Sequence, residues 1–592
     1  MISRAIYLIS VVLMFYTSFF FYHRWKNPGT EAAISWDVSG YYWYLPSIFI
    51  YNDLRHQSFK DHILDKYKPT NNEFQQGVKC ENGNYVMKYS SGMALMYFPF
   101  FIAAHFLAGP LGYPADGFSA PYQFAIQLGG FLVSILGLWY LRKLLLISYN
   151  DTVVAIVLFL LVVGSNYLIF TTIDAGMSHC WLFTVYVFLL LNTHYYYRDF
   201  KAKYALRIGL LVGLATLTRP TDILSCIIPV LWGMESVSFS AIQKRLALLM
   251  ANYRSLLLAI ICAGGVIFIQ LAYWKYASGH WLFYSYVDQK LYFRSPNFFN
   301  YTFSYRSGWL VYAPIMVFAF IGIIPFLKWG KNRVAILSFF LLNYYVVCAW
   351  SVWWYGGRAM LQSYPVLLFP MAELVKFVLT RKLWLGLLIP VVAVFVYYNI
   401  WTIFGAGRLG FSAEMNKALF WRIVGRWKVP SYVVLLADNP DLFEGKPVNE
   451  QLIYKDDFAE DTGALYRPHK VGNGKTLTLD NDHRYSHYYK LPFRRANEQW
   501  LRAQARFTGT FKEWHVWYMA EFNISLLNKG ALVKSHMIKV HRIMDPWESE
   551  NISIFMKLPD QKFDSVYILF SNGGSEFPIS VDSLKIWSFN EK

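Results

Sequence analysis

The residue type most in need of explanation is a carboxylate, Asp37, set in the stretch WDVSGYY (36–42) just beyond the first apolar run of the chain. Tyr41 follows four residues later, one helical turn away. A carboxylate held among aromatic rings in a partly dry setting is suited to act as a general base toward a hydroxyl. Lys88, in VMKYSSG, and the arginines Arg294, Arg306 and Arg358 supply cations of the kind that hold phosphate. Asp174 and His179 lie in TTIDAGMSHC (171–180), and Gly356-Gly357 bends the chain between Tyr355 and Arg358. Each has a plainer reading. Asp174 fits an N-cap of the helix that follows it, His179 fits helix packing, and the cations fit snorkelling or hydrated loop side chains.

The elements that must position these groups are membrane helices. The chain has 592 residues, of which 56% are hydrophobic, 19% aromatic and only 16% charged. Apolar runs of roughly 20 residues recur, the length that spans a bilayer as a helix. The net charge of +18 lies wholly before residue 440; from there on, 20 basic residues meet 20 acidic ones. Basic residues in short connections orient membrane helices, so nucleic acid is not an expected partner. Five cysteines, none of them after residue 440, give no disulfide framework. The first apolar run is followed by FFFYHRWKNPG, with no small-residue cleavage site, and reads as a retained helix.

Placing the basic connections RDFKAKY (198–204), QKRLALLMANYR (243–254), KWGKNR (328–333) and TRK (380–382) on the cytoplasmic side, with Arg142-Lys143, predicts about eleven spans. These are 5–22, 120–141, 152–172, 179–197, 205–218, 222–234, 255–276, 310–327, 334–350, 361–378 and 384–403. The long outer loops are 23–119 and 277–309. The run 92–109, with Pro99 and His105, breaks the alternation and is predicted to lie at the outer interface. From residue 440 to 592, alternating segments such as HVWYMAEFNISLL and NISIFMKL predict antiparallel strands. They form an outer β-sandwich, joined through a connector at 406–439. Trp514, Trp517 and Trp547 there are candidates for a sugar platform. With this topology Asp37, Lys88, Asp174, His179, Arg219, Asp222, Arg294, Arg306 and Arg358 all fall on the outer side, and ionisable groups at such depths mark functional paths.

In that order along the chain these segments resemble the GT-C superfamily of integral membrane glycosyltransferases. The likeness is to the branch with protein O-mannosyltransferases and lipid A aminoarabinose transferases (glycosyltransferase family 39-like bacterial enzymes). Asp37 to Tyr41 resembles the D-x-x-x-Y pattern of the first outer loop, KYSSGMALMYFPFF (88–101) the segment with its lysine, and YLIFTTIDAGMSH (167–179) the site of a second outer acid. GLLVGLATLTRPTDIL (209–224), FSYRSGWLVYAPIM (303–316) and WYGGRAMLQSYPVLLFP (354–370) are similar to bacterial members. The resemblance covers about residues 1–405.

It implies a periplasmic active face on the inner membrane and inverting transfer of a sugar from a polyprenyl-phosphate donor to a hydroxyl on protein, lipid or polysaccharide. Asp37 and Asp174 would be catalytic, with Asp37 the general base. Lys88, Arg358 and Arg306 would hold the donor phosphate, and Tyr41, His179, Tyr355 and Arg294 would bind substrate. The family's optional divalent metal is not indicated, because the first loop reads Asp-Val where relatives carry two acids and Lys88 lacks its usual neighbours. No nucleotide-binding glycine loop occurs. The rival readings are a transporter or flippase of a lipid-linked saccharide, which needs midplane charges and paired halves, and an oligosaccharide ligase or polymerase.

Overall fold

The computed structural model describes residues 2–70, 74–351, 355–405, 415–458, 468–471, 474–486, 489–493, 497–510, 518–544, 547–575 and 577–592. The chain divides into two compact units, residues 1–410 and 411–592.

The first unit is helical. Four of its helical stretches are long and apolar enough to cross a membrane: Ile2–Lys26, Ala120–Leu146, Tyr253–Ser278 and Lys382–Phe404. The helix Ser178–Asp199, at 22 residues, is nearly as long but carries more polar groups. Other expected spans are shorter or interrupted. The run 152–172 divides into Asp151–Gly164 and Tyr167–Thr172, because Asn166 turns its side chain away to donate to the Gly356 carbonyl and accept from the Tyr364 hydroxyl. The run 222–234 becomes a 3-10 turn, Pro220–Cys226, and a short helix, Ile227–Leu231, with Pro229 lacking the donor for helix continuation from the preceding turn. The run 310–327 is broken at Ala313-Pro314 ahead of the helix Val317–Trp329.

Successive long helices alternate in direction, so two ends can be distinguished. At one end Ser3 donates to Asp151, Arg142 donates to Ser3 at 2.8 Å, and Glu235 pairs with Arg333. The basic connections gather there. At the other end Ser18 donates to the Thr172 carbonyl, and the helix Gly92–Ala108 abuts Thr218, where a Cβ on Gly92 would meet Thr218 Oγ1 at 2.4 Å. His105 of that same helix meets the Tyr122 hydroxyl near the start of Ala120–Leu146. Both ends of Gly92–Ala108 therefore rest at one end of the bundle, so the helix lies across it.

The segment between the first two long helices folds over this second end. Trp43 sits among Phe59, Phe74 and Phe118, and its indole donates to Gln57 at 2.8 Å, satisfying a buried polar atom. That anchor fixes the short helix Trp36–Tyr42 carrying Asp37. A hairpin of β1 (Gly77–Lys79) and β2 (Tyr85–Met87) leads directly into Lys88 and Tyr89.

The second unit is a two-sheet sandwich. Its strands are β3 (Pro447–Asp456), β4 (Pro468–Val471), β5 (Gly474–Leu479), β6 (Tyr489–Pro492), β7 (Trp500–Gly509), β8 (Glu521–Asn528), β9 (Ala531–Lys539), β10 (Ser549–Lys557), β11 (Ser565–Ser571) and β12 (Ile579–Glu591). One sheet runs β10-β7-β12-β5-β4 with β3 also on β12, and the other runs β6-β11-β8-β9. Alternate residues, such as Leu501, Ala503, Ala505 and Phe507 on β7 and Phe522, Ile524 and Leu526 on β8, point into the shared core. The described part of the expected connector, residues 415–439, clusters with this unit. Arg542 pairs with Asp438, and Asn439 donates to the Phe555 carbonyl. Asp441 gathers Lys534, His536 and the Lys557 amide. Trp547 is 63% exposed, while Trp514 and Trp517 lie outside the described residues.

Candidate active site

Asp37 sits in the first turn of Trp36–Tyr42, immediately after Trp36, whose φ of +47° is left-handed. Such backbone costs roughly 1–3 kcal/mol for a bulky residue and clusters at functional sites. Gly40, on the same helical face one turn on, admits the ring of Tyr89: a Cβ there would stand 2.5 Å from Tyr89 Cδ2. The Tyr89 hydroxyl thereby reaches Asp37 Oδ1 and donates to it at 2.7 Å. Arg358 Nη2 donates to the other oxygen, Oδ2, also at 2.7 Å. Arg358 and Asp37 keep 24% and 25% of their side-chain surface exposed, so this pair is accessible to a ligand. A carboxylate offers about four lone-pair positions, and two remain for an incoming hydroxyl.

The loop that delivers Arg358 depends on two glycines with positive φ, Gly356 at +69° and Gly357 at +61°. A Cβ on Gly357 would lie 2.4 Å from Trp309 Cβ, so the close approach and the dihedral both demand glycine. Burial, with the Asp37 carboxylate next in importance, pushes the Tyr89 hydroxyl well above the usual tyrosine range, and Tyr41 likewise upward. Both remain hydrogen-bond donors at neutral pH.

Next to this pair lies a buried polar chain. Arg219 Nη1 donates to Gln362 Oε1 at 3.3 Å and approaches His179 Nδ1 at 3.2 Å. The same Nδ1 also lies 3.3 Å from Gln362 Oε1, so the imidazole, the amide and the guanidinium meet at one point. Gln362 passes the chain on, its Nε2 donating to Asp222 Oδ1 at 3.2 Å. Asp222 is fully buried. Arg219 forms no ion pair with any carboxylate among the described residues. Lys88 Nζ lies 5.7 Å from the centre of the Tyr89 ring. Its own carbonyl accepts from Ser285 at 2.6 Å. Around Asp37 the structure thus gathers two arginines and one lysine, with one carboxylate in contact and a second held one side chain back.

The sequence-derived candidates separate into three groups. Asp37, Tyr41, His179 and Arg358 come together, Tyr41 lying 4.6 Å from Tyr89 ring to ring and 3.5 Å from Ser178 Oγ, and Lys88 borders them. Asp174 is engaged elsewhere: Arg24 forms an ion pair with it and also donates to Ser35 Oγ at 3.3 Å. It does not cap the helix Ser178–Asp199, whose N-cap is Met177. Arg294 and Arg306 are exposed, and among the described residues no hydrogen bond or ion pair links them to Asp37. The side chain of Tyr355 lies outside the described residues.

Sequence reading missed Arg24, Tyr89 and Gln362, and gave Arg219 and Asp222 no role. The signal for Tyr89 was its place beside Lys88, and for Gln362 its place one helical turn after Arg358. No group of three His, Cys, Asp or Glu side chains among the described residues is disposed to hold a metal ion. Asp37 and Asp174 each already carry a guanidinium, a donor set that suits charge pairing rather than a divalent cation.

No family model matches this chain, and no curated protein does. Among solved structures it is similar to the apo crystal structure of the Archaeoglobus fulgidus oligosaccharyltransferase, at a TM-score of 0.40 and 12% identity, over 73% of this chain and 59% of that one. It is also similar to the cryo-EM structure of arabinosyltransferase EmbB from Mycobacterium smegmatis, at a TM-score of 0.33 and 10% identity, over 83% of this chain and 58% of that one. The chain spans under two thirds of the length of either.

Proposed function

We propose that this chain is a GT-C-type membrane glycosyltransferase that moves a sugar from a polyprenyl-phosphate donor to a hydroxyl group of a protein, lipid or polysaccharide. The observation that supports it most is the Asp37 carboxylate, held between the Tyr89 hydroxyl and the Arg358 guanidinium at 2.7 Å each, with Arg219 and Lys88 close by. The acceptor hydroxyl hydrogen-bonds a remaining lone pair of Asp37 and loses its proton to it as the oxygen attacks the anomeric carbon. The bond from that carbon to the phosphate oxygen breaks on the opposite face, with inversion, and the electron pair leaves on the polyprenyl phosphate.

Stabilising that growing charge is the main electrostatic task. Arg219, held by neutral partners, meets the phosphate directly. Arg358 is coupled to the base: once Asp37 is protonated its hold on the guanidinium weakens, and the cation turns to the leaving group. Lys88 supplies a further point charge. Asp222, acting through Gln362, is a positioning residue for Arg219. Asp174 acts through Arg24, fixing the segment that carries Asp37. Arg306 and Arg294 reach the donor when the segment 277–309 closes over it.

The basic connections lie at the end of the bundle away from Asp37, and under the positive-inside rule this favours a site on the periplasmic side of a bacterial inner membrane. The purified chain in nanodiscs, given a polyprenyl-phosphate-sugar extract and membrane acceptors, is expected to release polyprenyl phosphate in step with glycosylated product. An unchanged donor pool would refute the reading.

A further inference from the structure

A second site lies at the opposite end of the helical unit. The helix Ser178–Asp199 has 22 residues and is about 33 Å long. His179 at its start belongs to the site above, whereas Tyr196 and Tyr197 near its other end line a cavity of about 450 Å³. That volume falls within the roughly 300–1,000 Å³ of ligand pockets. The remaining walls come from the helices Ala202–Thr218, Phe239–Ala251 and Tyr253–Ser278 and from residues 223–230. They are almost entirely apolar. Small residues create the space: Gly264 lines it, and a Cβ there would meet nothing within 4 Å.

One group set against the Pro229, Val230 and Tyr197 walls of this cavity is out of keeping with packing alone. Arg245 is only 7% exposed. Its Nη2 donates to the Pro229 carbonyl at 2.9 Å, its Nε donates to the Val230 carbonyl, and the guanidinium lies 4.4 Å from the centre of the Tyr197 ring. Pro229, Val230 and Tyr197 are all cavity walls. Among the described residues Arg245 pairs with no carboxylate. A buried cation without a counter-ion is costly, and this one stands where an apolar cavity meets the basic end of the bundle. Lys201 and Arg254 flank the wall residues Phe200 and Ser255 in sequence. An anionic head beside Arg245 with a hydrocarbon chain in the cavity would satisfy both features at once.

We propose that this cavity binds an anionic phospholipid of the leaflet on the basic side, with one acyl chain between the helices and the phosphate at Arg245. The inference is independent of the sugar chemistry assigned to Asp37.

The test is native mass spectrometry of the delipidated full chain in detergent, titrated with dioleoyl phosphatidylglycerol or dioleoyl phosphatidylcholine. Wild type is expected to bind one phosphatidylglycerol roughly five- to tenfold more tightly than phosphatidylcholine, the effect of one well-placed cation. Arg245→Gln should abolish the preference, Arg245→Lys should keep most of it, and Gly264→Leu should weaken both lipids by filling the space. Retained binding of undecaprenyl phosphate by each variant checks that it is folded. Equal binding of the two lipids by wild type, a preference that survives Arg245→Gln, Gly264→Leu without effect, or displacement of phosphatidylglycerol by equimolar undecaprenyl phosphate would each overturn the proposal.

Discussion

Arg219 offers the sharpest test of how a lipid phosphate would be held. Its Nη1 touches only Gln362 and His179, both neutral side chains, which leaves most of its five donors for an anion. Replacing it with glutamine removes charge and donors together. The surroundings should hold, because Gln362 remains anchored to Asp222 at 3.2 Å and the helix before it ends at Thr218. Hydrogen bonds to charged groups contribute about 1.5–3 kcal/mol, and each 1.4 kcal/mol is tenfold in affinity. Arg219→Gln should therefore weaken undecaprenyl phosphate binding by roughly ten- to 150-fold, and Arg219→Lys, which keeps charge but loses the planar fork, by less. Calorimetric titration of the chain in nanodiscs with undecaprenyl phosphate measures this without knowledge of the sugar. A Kd for Arg219→Gln within twofold of wild type would refute the assignment of Arg219 to the phosphate.

Three further outcomes are expected. Gly357→Ala should lower transfer at least tenfold, since a Cβ 2.4 Å from Trp309 and a φ of +61° both displace the loop bearing Arg358; unaltered turnover would detach that loop from the site. In the sandwich, burial pushes His541 down to about 4, and its Nδ1 accepts from the Ala520 amide. The unfolded state then binds the extra proton first, so stability present above pH 6.5 is lost as the pH falls toward 4, by about 3 kcal/mol. Melting of the full chain across that range would show it, and His541→Gln should flatten the dependence. Single cysteines at Phe200 and Glu450 should differ in labelling from outside intact cells, with only position 450 reacting; labelling at 200 would reverse the proposed orientation.

How much of this was legible in the sequence depended on distance along the chain. Asp37 stood out as a carboxylate among aromatic residues just past the first apolar run, with Tyr41 one helical turn on. Arg358 did so because two glycines precede it. Tyr89 escaped because nothing local says that a ring 52 residues away will lie over Gly40 and present its hydroxyl to Asp37. The Asp222–Gln362–Arg219 chain escaped for the same reason, Gln362 lying some 140 residues from either partner. Arg24 was visible only as a bulky charged residue after the first helix, and its pairing with Asp174 needed the tertiary fold.

Hydropathy identified the apolar runs but not their breaks. Asn166 ends a helix because of a carbonyl and a hydroxyl contributed by residues 356 and 364, which no window over 152–172 contains. Alternation in the sandwich was readable strand by strand. Contacts such as that of Asp438 with Arg542 join residues about a hundred positions apart and leave no periodic trace.

The most direct measurement is the turnover of polyprenyl-phosphate-linked sugar by Asp37→Asn beside its binding of undecaprenyl phosphate. Asparagine keeps the shape but cannot take the proton. Release of polyprenyl phosphate should fall by a factor of at least about 100, the lower bound of a general base's contribution, while undecaprenyl phosphate binds as tightly as to wild type or more so, Arg358 being freed. Turnover within tenfold of wild type would contradict Asp37 as the base.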